Sequence, residues 1–300
     1  MVRLFEAPDE WPRARQIMDV FEFYQGHLLT QVSAGEGPNS YTAFVKADAF
    51  RKLLRWGKRV AVEAGAVKEG YCTPDATGMQ ESVNRTLEAL LNVRGAGGRV
   101  TYLAMDEPFT GGLVRRCGGP SFVPTADRLA VYIPAVRRVF PDVRIGLIEP
   151  YPVFSPAQFS EMFRLLRERN LTVDFLHADV RRPDVSPGRE LFAGEILELS
   201  ALAAEHQIPF GVIIWGDNGD ADALYAADAL RNAQELGRVF RSWEVMPQHV
   251  IIQSWALSGT GLFITPSNLP ETSPTTHTAL INQIYDMLRN LKGPRDTSTR

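Results

Sequence analysis

Val100–Phe109 reads VTYLAMDEPF, an apolar run that ends in two acids and a proline. A proline cannot continue a central strand, so the pattern predicts a buried strand that ends at Asp106 and Glu107. In parallel α/β folds, the carboxyl ends of the strands carry the chemistry. The segment therefore predicts a parallel sheet with a candidate site along one edge.

Length and composition narrow the class of protein. The chain has 300 residues, 45% hydrophobic and 22% charged, with a formal net charge of −3. That charge gives no basic surface for nucleic acid, and no apolar run approaches the ~20 residues that span a bilayer. The first residues lack a signal-peptide core. The compartment stays open, and secretion or a periplasmic location is included, because a leader could have been removed from a longer gene product. Oligomeric state is equally open.

Apolar runs alternate with helical periodicity along the whole chain, which predicts eight strands separated by helices. Eight units with short loops favour a single (β/α)8 TIM barrel over an open doubly wound sheet. We expect the barrel to occupy residues 1–292 and residues 293–300 to form a disordered tail. The predicted strands are Arg3–Glu6, Ile17–Tyr24, Arg59–Gly65, Val100–Glu107, Val143–Pro150, Leu171–Asp179, Pro209–Asp217 and His249–Trp255.

Polar residues end six of these strands, and in a barrel all of them would surround one mouth. Acids crowded in a concave mouth repel one another, which raises some pKa values and separates proton donors from proton acceptors. These predicted mouth residues are Glu63, Asp106, Glu107, Glu149, His177, Asp179, Asp217 and Gln253.

Side-chain alternation along the strands separates Asp106 from Glu107. We expect Glu107 to point into the barrel, on the side of Met105, and Asp106 to face the helix layer or the loop. Glu149 ends the next strand, so it would lie close to Glu107. Two carboxyl groups about 5 to 10 Å apart are what glycoside hydrolysis uses.

Aromatic residues at the strand ends favour a carbohydrate ligand, because sugars pack their C–H faces on rings while their hydroxyls bond to acids and amides. Trp215 and Trp255 end two strands, and Tyr151 follows a third. The predicted substrate-binding residues are Glu63, Asp106, Tyr151, His177, Asp179, Trp215, Gln253 and Trp255.

Asp106-Glu107-Pro108 at the end of the fourth predicted strand resembles the Asn-Glu-Pro motif of a large clan of retaining glycoside hydrolases. That clan carries its acid/base and its nucleophile on strands four and seven of a barrel. The resemblance implies that Glu107 is the acid/base and that Trp255 is the tryptophan ending strand eight. Two departures stand out: Asp106 replaces the asparagine, and the strand-seven glutamate is absent, with Asp217 at that strand end.

The first functional hypothesis is a glycosidase acting on a polysaccharide or oligosaccharide, without cofactor or metal. Glu107 would be the general acid/base, Glu149 the preferred second carboxylate and Asp217 the reserve. A second hypothesis is a divalent-metal sugar isomerase, epimerase or lyase, with Glu149, His177, Asp179 and Asp217 as ligands. A third is a non-catalytic carbohydrate-binding barrel, consistent with the missing strand-seven glutamate.

The remaining cysteines and histidines carry no predicted chemistry. Cys72 and Cys117 form neither a disulfide framework nor a metal-binding spacing, and we expect free thiols. The other four histidines are expected at the surface, on helices or loops: His27, His206, His249 and His277.

Overall fold

Parallel strands form the centre of the protein in the computed structural model. The structure describes residues 1–30, 39–68, 71–73, 77–180, 189–242, 245–254, 256–257, 263–264 and 266–291. Within these residues, seven strands lie side by side in chain order, and each pairs in parallel with the next. They are β1 Val20–Tyr24, β2 Arg59–Ala64, β3 Val100–Asp106, β4 Arg144–Tyr151, β5 Leu176–Val180, β6 Phe210–Ile214 and β7 His249–Ile252.

Helices follow the strands and cover the outside of the sheet. A separate short antiparallel pair, β8 Ala256–Leu257 and β9 Phe263–Ile264, follows β7. The helices are α1 Arg3–Glu6, α2 Pro12–Ile17, α3 Tyr41–Lys46, α4 Ala49–Arg55, α5 Thr77–Gly95, α6 Pro108–Gly112, α7 Val123–Val139, α8 Pro156–Glu168, α9 Arg189–Glu205, α10 Asp222–Ser242 and α11 His277–Leu291.

The inner face of the sheet is filled by side chains from alternate strands. The ring of Tyr102 on β3 contacts Phe175, just before β5, and His249 on β7. His177 Nε2 lies 2.9 Å from His249 Nδ1. A Cβ atom at Gly211 would lie 2.6 Å from His177 Cδ2, so the glycine leaves room for this pair. Layers built from every second strand are characteristic of a closed (β/α) barrel.

Contacts between the two ends of the sheet complete the curl. Just after β7, the Gln253 side-chain amide donates to the Tyr24 hydroxyl at the end of β1, at 2.8 Å. Further out, Glu271 accepts hydrogen bonds from the backbone N–H groups of Arg13 and Ala14 in the first turn of α2, at 3.1 and 2.9 Å. The predicted α/β barrel of TIM type is confirmed.

The first predicted strand is wrong, because Arg3–Glu6 forms helix α1. Its adjacent residues Leu4 and Phe5 are both buried, and a strand would point them to opposite faces. Phe5 packs on the rings of Phe21 and Phe23, the outward-facing side chains of β1. The motif at the end of β3 therefore belongs to the third strand of the described sheet, not the fourth.

Two further predictions concern parts of the chain that the structure does not describe. Trp255 and the tail over residues 293–300 lie outside the described residues. Among the residues that are described, no helix combines the length and apolar character needed to cross a membrane.

Candidate active site

The mouth of the barrel is the edge where β1 to β7 end, and strand register identifies the side chains that point into it. Tyr102 points inward, so Asp106, four residues further along β3, points inward as well. The expectation that Asp106 faces outward and Glu107 shares the inner side with Met105 is wrong. On β1, Phe21 and Phe23 face the helices, which turns Glu22 and Tyr24 inward.

Glu107 lies beyond the end of β3, so the alternation of the strand does not determine its direction. Its backbone is left-handed, with φ 48° and ψ 48°, and it immediately precedes α6. A non-glycine residue in this region is uncommon and is found disproportionately at functional sites. The turn brings Glu107 Oε2 to 3.3 Å from Lys68 Nζ.

Lys68, in the loop after β2, brings a positive charge to the mouth. It forms an ion pair with Asp106 as well as with Glu107. Burial alone would lower the pKa of Lys68, but Asp106 and Glu107 outweigh it and raise the pKa to about 12. The ammonium, 3.3 Å from Glu107, in turn favours the ionised form of Glu107. Sequence reasoning missed Lys68, because it lies in a loop without a recognisable motif.

Glu22 and Glu63 add two acids on the neighbouring strands. Register places Tyr24 beside Glu63, so both side chains share the inner face. Burial and the charge of Asp106 raise the pKa of Glu22 to about 7. Burial, Glu22 and Asp106 raise the pKa of Glu63 well above its usual value. Glu63 was predicted at the mouth. Glu22 was missed, although its position between two outward phenylalanines was visible in the sequence.

Asp179 and Trp215 form the opposite side of the mouth. The indole Nε1 of Trp215 donates to Asp179 Oδ1 at 2.7 Å, and Trp215 is 8% exposed. Burial raises the pKa of Asp179 to about 7, with further increases from Glu107 and Asp106. The charge of Glu107 adds to the rise in the pKa of Asp179, so the two carboxyl groups lie within electrostatic range of each other across the mouth. Both residues of this pair were predicted at the mouth.

Glu149 lies on the opposite side of β4 from the barrel interior and is fully buried. Its carboxylate accepts hydrogen bonds from Phe109 N at 2.7 Å, Thr110 N at 3.2 Å and Thr110 Oγ1 at 2.8 Å. Burial raises the pKa of Glu149 to about 8, although these donors oppose the shift. The structure thus places Glu149 under α6, where it supports the segment that follows Glu107.

Tyr151 is also directed away from the mouth. It is fully buried and shares a side of β4 with Glu149. Its hydroxyl donates a hydrogen bond to Glu195 Oε2 on α9, at 2.6 Å. The predicted contact of Tyr151 with a substrate is therefore not supported by its position, which is that of a packing residue between strand and helix.

The two histidines in the barrel lie deeper than the acids. His177 points inward, as predicted, but its partner is His249, which begins β7 rather than lying at the surface. Burial, and to a lesser extent His249, lower the pKa of His177 to about 3. We assign this pair to the packed interior below the mouth.

Gln253 and Asp217 complete the predicted set. The Gln253 amide bonds to Tyr24, as described above, and its Oε1 is a buried acceptor without a protein partner among the described residues. Asp217 follows Trp215 and is partly exposed. Trp255 lies outside the described residues, so its predicted role stays a prediction.

Three of the four ligands named for the metal hypothesis lie in different environments. Glu149 lies under α6, and His177 bonds to His249 inside the barrel. Asp179 bonds to Trp215. The described residues include no group of three or more His, Cys, Asp or Glu side chains arranged to hold a metal ion.

A disulfide joins two of the loops at the mouth. Cys72 and Cys117 are bonded across 45 residues of sequence, so the expectation of free thiols is wrong. Cys72 follows β2 and Cys117 follows α6, and both are buried. Their spacing along the chain gave no sign that the fold brings the two loops together.

Glu149→Ala tests the supporting role of Glu149. The substitution removes the acceptor of the hydrogen bonds from Phe109 N, Thr110 N and Thr110 Oγ1, which the segment after Glu107 now donates. We expect a loss of about 1–3 kcal/mol in the free energy of unfolding, which urea titration measures. Any hydrolysis of glycosides should fall by less than about tenfold, because Glu149 does not face the mouth. An enzyme of unchanged stability and abolished turnover would contradict this assignment.

Comparison with known proteins supports the fold. No protein family model matches the chain, and no curated protein matches it. Solved structures do. The catalytic domain of a hyperthermophilic chitinase from Pyrococcus furiosus is 16% identical with a TM-score of 0.52, covering 97% of this chain and 91% of the other.

Two other solved structures have the same TM-score. A 3-keto-D-glucoside 4-epimerase from E. coli is 12% identical with a TM-score of 0.52, covering 95% of this chain and 93% of its own. A xylose isomerase domain containing protein from Salmonella typhimurium is 14% identical with a TM-score of 0.52, covering 96% and 92%. At these identities the similarity establishes a TIM-barrel fold.

Proposed function

We propose that the protein is a glycoside hydrolase whose paired carboxyl groups are Glu107 and Asp179. The observation that carries the proposal is the contrast between these two acids at one mouth. Lys68 Nζ lies 3.3 Å from Glu107 and favours its ionised form. Burial holds the pKa of Asp179 at about 7, so a large fraction of Asp179 keeps its proton near neutral pH. Environments that separate two acids in this way identify the proton donor and its partner.

The roles of the two acids follow from their protonation. Asp179 donates its proton to the glycosidic oxygen as the bond from that oxygen to the anomeric carbon breaks. Glu107, as the carboxylate, stabilises the positive charge that develops on the sugar, and either bonds to the anomeric carbon or takes a proton from the attacking water. The family resemblance implied that Glu107 is the acid/base; Lys68 is the reason for assigning it the ionised role.

The surrounding residues suit a sugar. Trp215 offers an aromatic ring beside Asp179, and Gln253 and Tyr24 offer an amide and a hydroxyl on the other side of the mouth. Glu22, Glu63 and Asp106 supply further groups that hydrogen-bond to hydroxyls. The similar structures include a chitinase, an epimerase and an isomerase-domain protein, so a sugar substrate also agrees with the types of protein that share this barrel.

The direct test is a panel of α- and β-linked oligosaccharides, with products identified by mass spectrometry. We expect shortened oligosaccharides and new reducing ends with the wild-type protein, and none with Glu107→Gln. A product of unchanged mass and altered mobility would instead indicate an isomerase or epimerase. Saturable binding by calorimetry without any cleavage would indicate a carbohydrate-binding barrel. Either result would overturn the proposal.

A further inference from the structure

We propose that the Cys72–Cys117 disulfide is a positioning pair for the mouth: it holds the turn that carries Lys68 against the segment that follows Glu107. The proposal deepens the proposed function, on which its consequence for catalysis rests. The positioning itself is measurable without any substrate.

The Lys68 turn is fixed by contacts on both sides of the lysine. Upstream, Ala66 has a left-handed backbone with φ 39°, and its carbonyl accepts a hydrogen bond from the Ser82 hydroxyl on α5. Downstream, Tyr71 N donates to the Lys68 carbonyl at 2.9 Å, which places Cys72 directly after the turn. The disulfide at Cys72 therefore attaches the chain to another segment four residues after Lys68.

Cys117 is the anchored end of the bridge. It is fully buried, and its carbonyl accepts a hydrogen bond from Arg128 Nη1 on α7, at 2.8 Å. Because α7 packs against α5 and α8, Cys117 is tied to the helical layer of the barrel. The bridge thus connects the Lys68 turn to the rigid part of the fold.

The same two loops carry the ion pairs of the mouth. Lys68 extends from the loop after β2, and Glu107 begins the loop after β3. Without the bridge, the ion pairs of Lys68 alone would have to restrict the motion of its loop. Partly exposed ion pairs contribute little to stability by themselves. Covalent closure reduces that freedom in advance.

The test compares wild type with the Cys72→Ser/Cys117→Ser double variant in a brief acetic anhydride pulse, with acetylation of each lysine read by peptide mass spectrometry. Only the free amine reacts, and Lys68 has a pKa of about 12 in the intact site, against a usual 10.5. Loss of the carboxylate partners should return it toward that usual value, and each unit increases the free-amine fraction about tenfold. We expect Lys68 to react at least about tenfold faster in the variant.

Lys52 on α4 is the internal control, because its Nζ donates to the Phe5 carbonyl at 2.8 Å, away from the bridge. Its rate should not change. An unchanged Lys68 rate, with the disulfide absent and Lys52 still protected, would overturn the proposal.

If the double variant unfolds, Lys52 reacts faster as well, and the pulse is applied instead to wild type during reduction by TCEP. The phosphine takes the oxygen of one water and the two sulfurs take its protons. A Lys68 rate that stays constant while the thiols appear, with native circular dichroism, would equally overturn the proposal.

The two proposals fail separately. If the wild-type protein cleaves no glycoside but Lys68 reacts faster without the bridge, the proposed function fails and the positioning stands. If the protein is a hydrolase, the variant should also show a changed pH profile of kcat/KM, since the charge beside Glu107 and Asp179 has moved. A merely stabilising bridge would lower thermal stability and leave that profile unchanged.

Discussion

Glu107→Gln should lower kcat/KM for glycoside hydrolysis by at least about 10³-fold. The substitution keeps the shape of the side chain but removes the negative charge that Lys68 holds at the mouth. The amide can neither bond to the anomeric carbon nor accept a proton from water. Binding of an oligosaccharide should persist, because the hydrogen-bonding capacity of the side chain remains. Steady-state kinetics and calorimetry measure the two effects.

A matched control is Glu161→Gln, the same substitution in an exposed side chain on α8 that pairs with Arg164. Its kcat/KM should equal that of wild type. If Glu107→Gln retained more than about a tenth of wild-type activity, Glu107 would not be a catalytic residue.

Asp179→Asn should lower kcat/KM by about 10²–10⁴-fold for natural oligosaccharides, whose leaving alcohols need a proton. Aryl glycosides with acidic phenol leaving groups should lose much less, because these groups depart without protonation. The ratio of the two losses distinguishes a proton donor from a residue that only binds the sugar. The matched control is Asp127→Asn, because Asp127 is an exposed residue of α7 that pairs with Arg169.

An equal loss on both substrate types would exclude Asp179 as the general acid. The acid would then have to be sought among the other inward residues with a raised pKa, of which Glu63 is the nearest candidate by its position on β2.

The sequence was sufficient for the barrel and for the end of β3. The apolar runs predicted strands that are covered on both faces. Asp106-Glu107-Pro108 predicted where β3 ends, in agreement with the structure. The direction of the Glu107 side chain was not predictable, because its left-handed backbone interrupts the alternation of β3.

Glu149 shows why a strand-end acid need not face the mouth. Its position one strand after Glu107 was predicted correctly, but one residue of offset separates the inner from the outer side of β4. The N–H groups of Phe109 and Thr110 donate hydrogen bonds to its carboxyl group on the outer side. Those donors belong to α6, a five-residue helix that was not predicted.

Lys68 and the disulfide depend on loops, and loop contacts between distant segments leave no periodic signal in a sequence. Lys68 lies 38 residues from Asp106, and 45 residues separate the two cysteines. Only the fold brings them to one mouth. In contrast, the inward position of Glu22 could have been found, because Phe21 and Phe23 on either side of it mark the outer face of β1.

The central claim, that protonated Asp179 is the general acid, is tested most directly by the pH dependence of kcat/KM in wild type and Trp215→Phe. In wild type, activity should fall as pH rises through about 7, because Asp179 loses its proton there. Trp215 Nε1–H lowers that pKa by bonding to the carboxylate, so its removal should move the alkaline limb to higher pH, whatever happens to sugar binding. An alkaline limb at the same pH in both proteins would contradict the account.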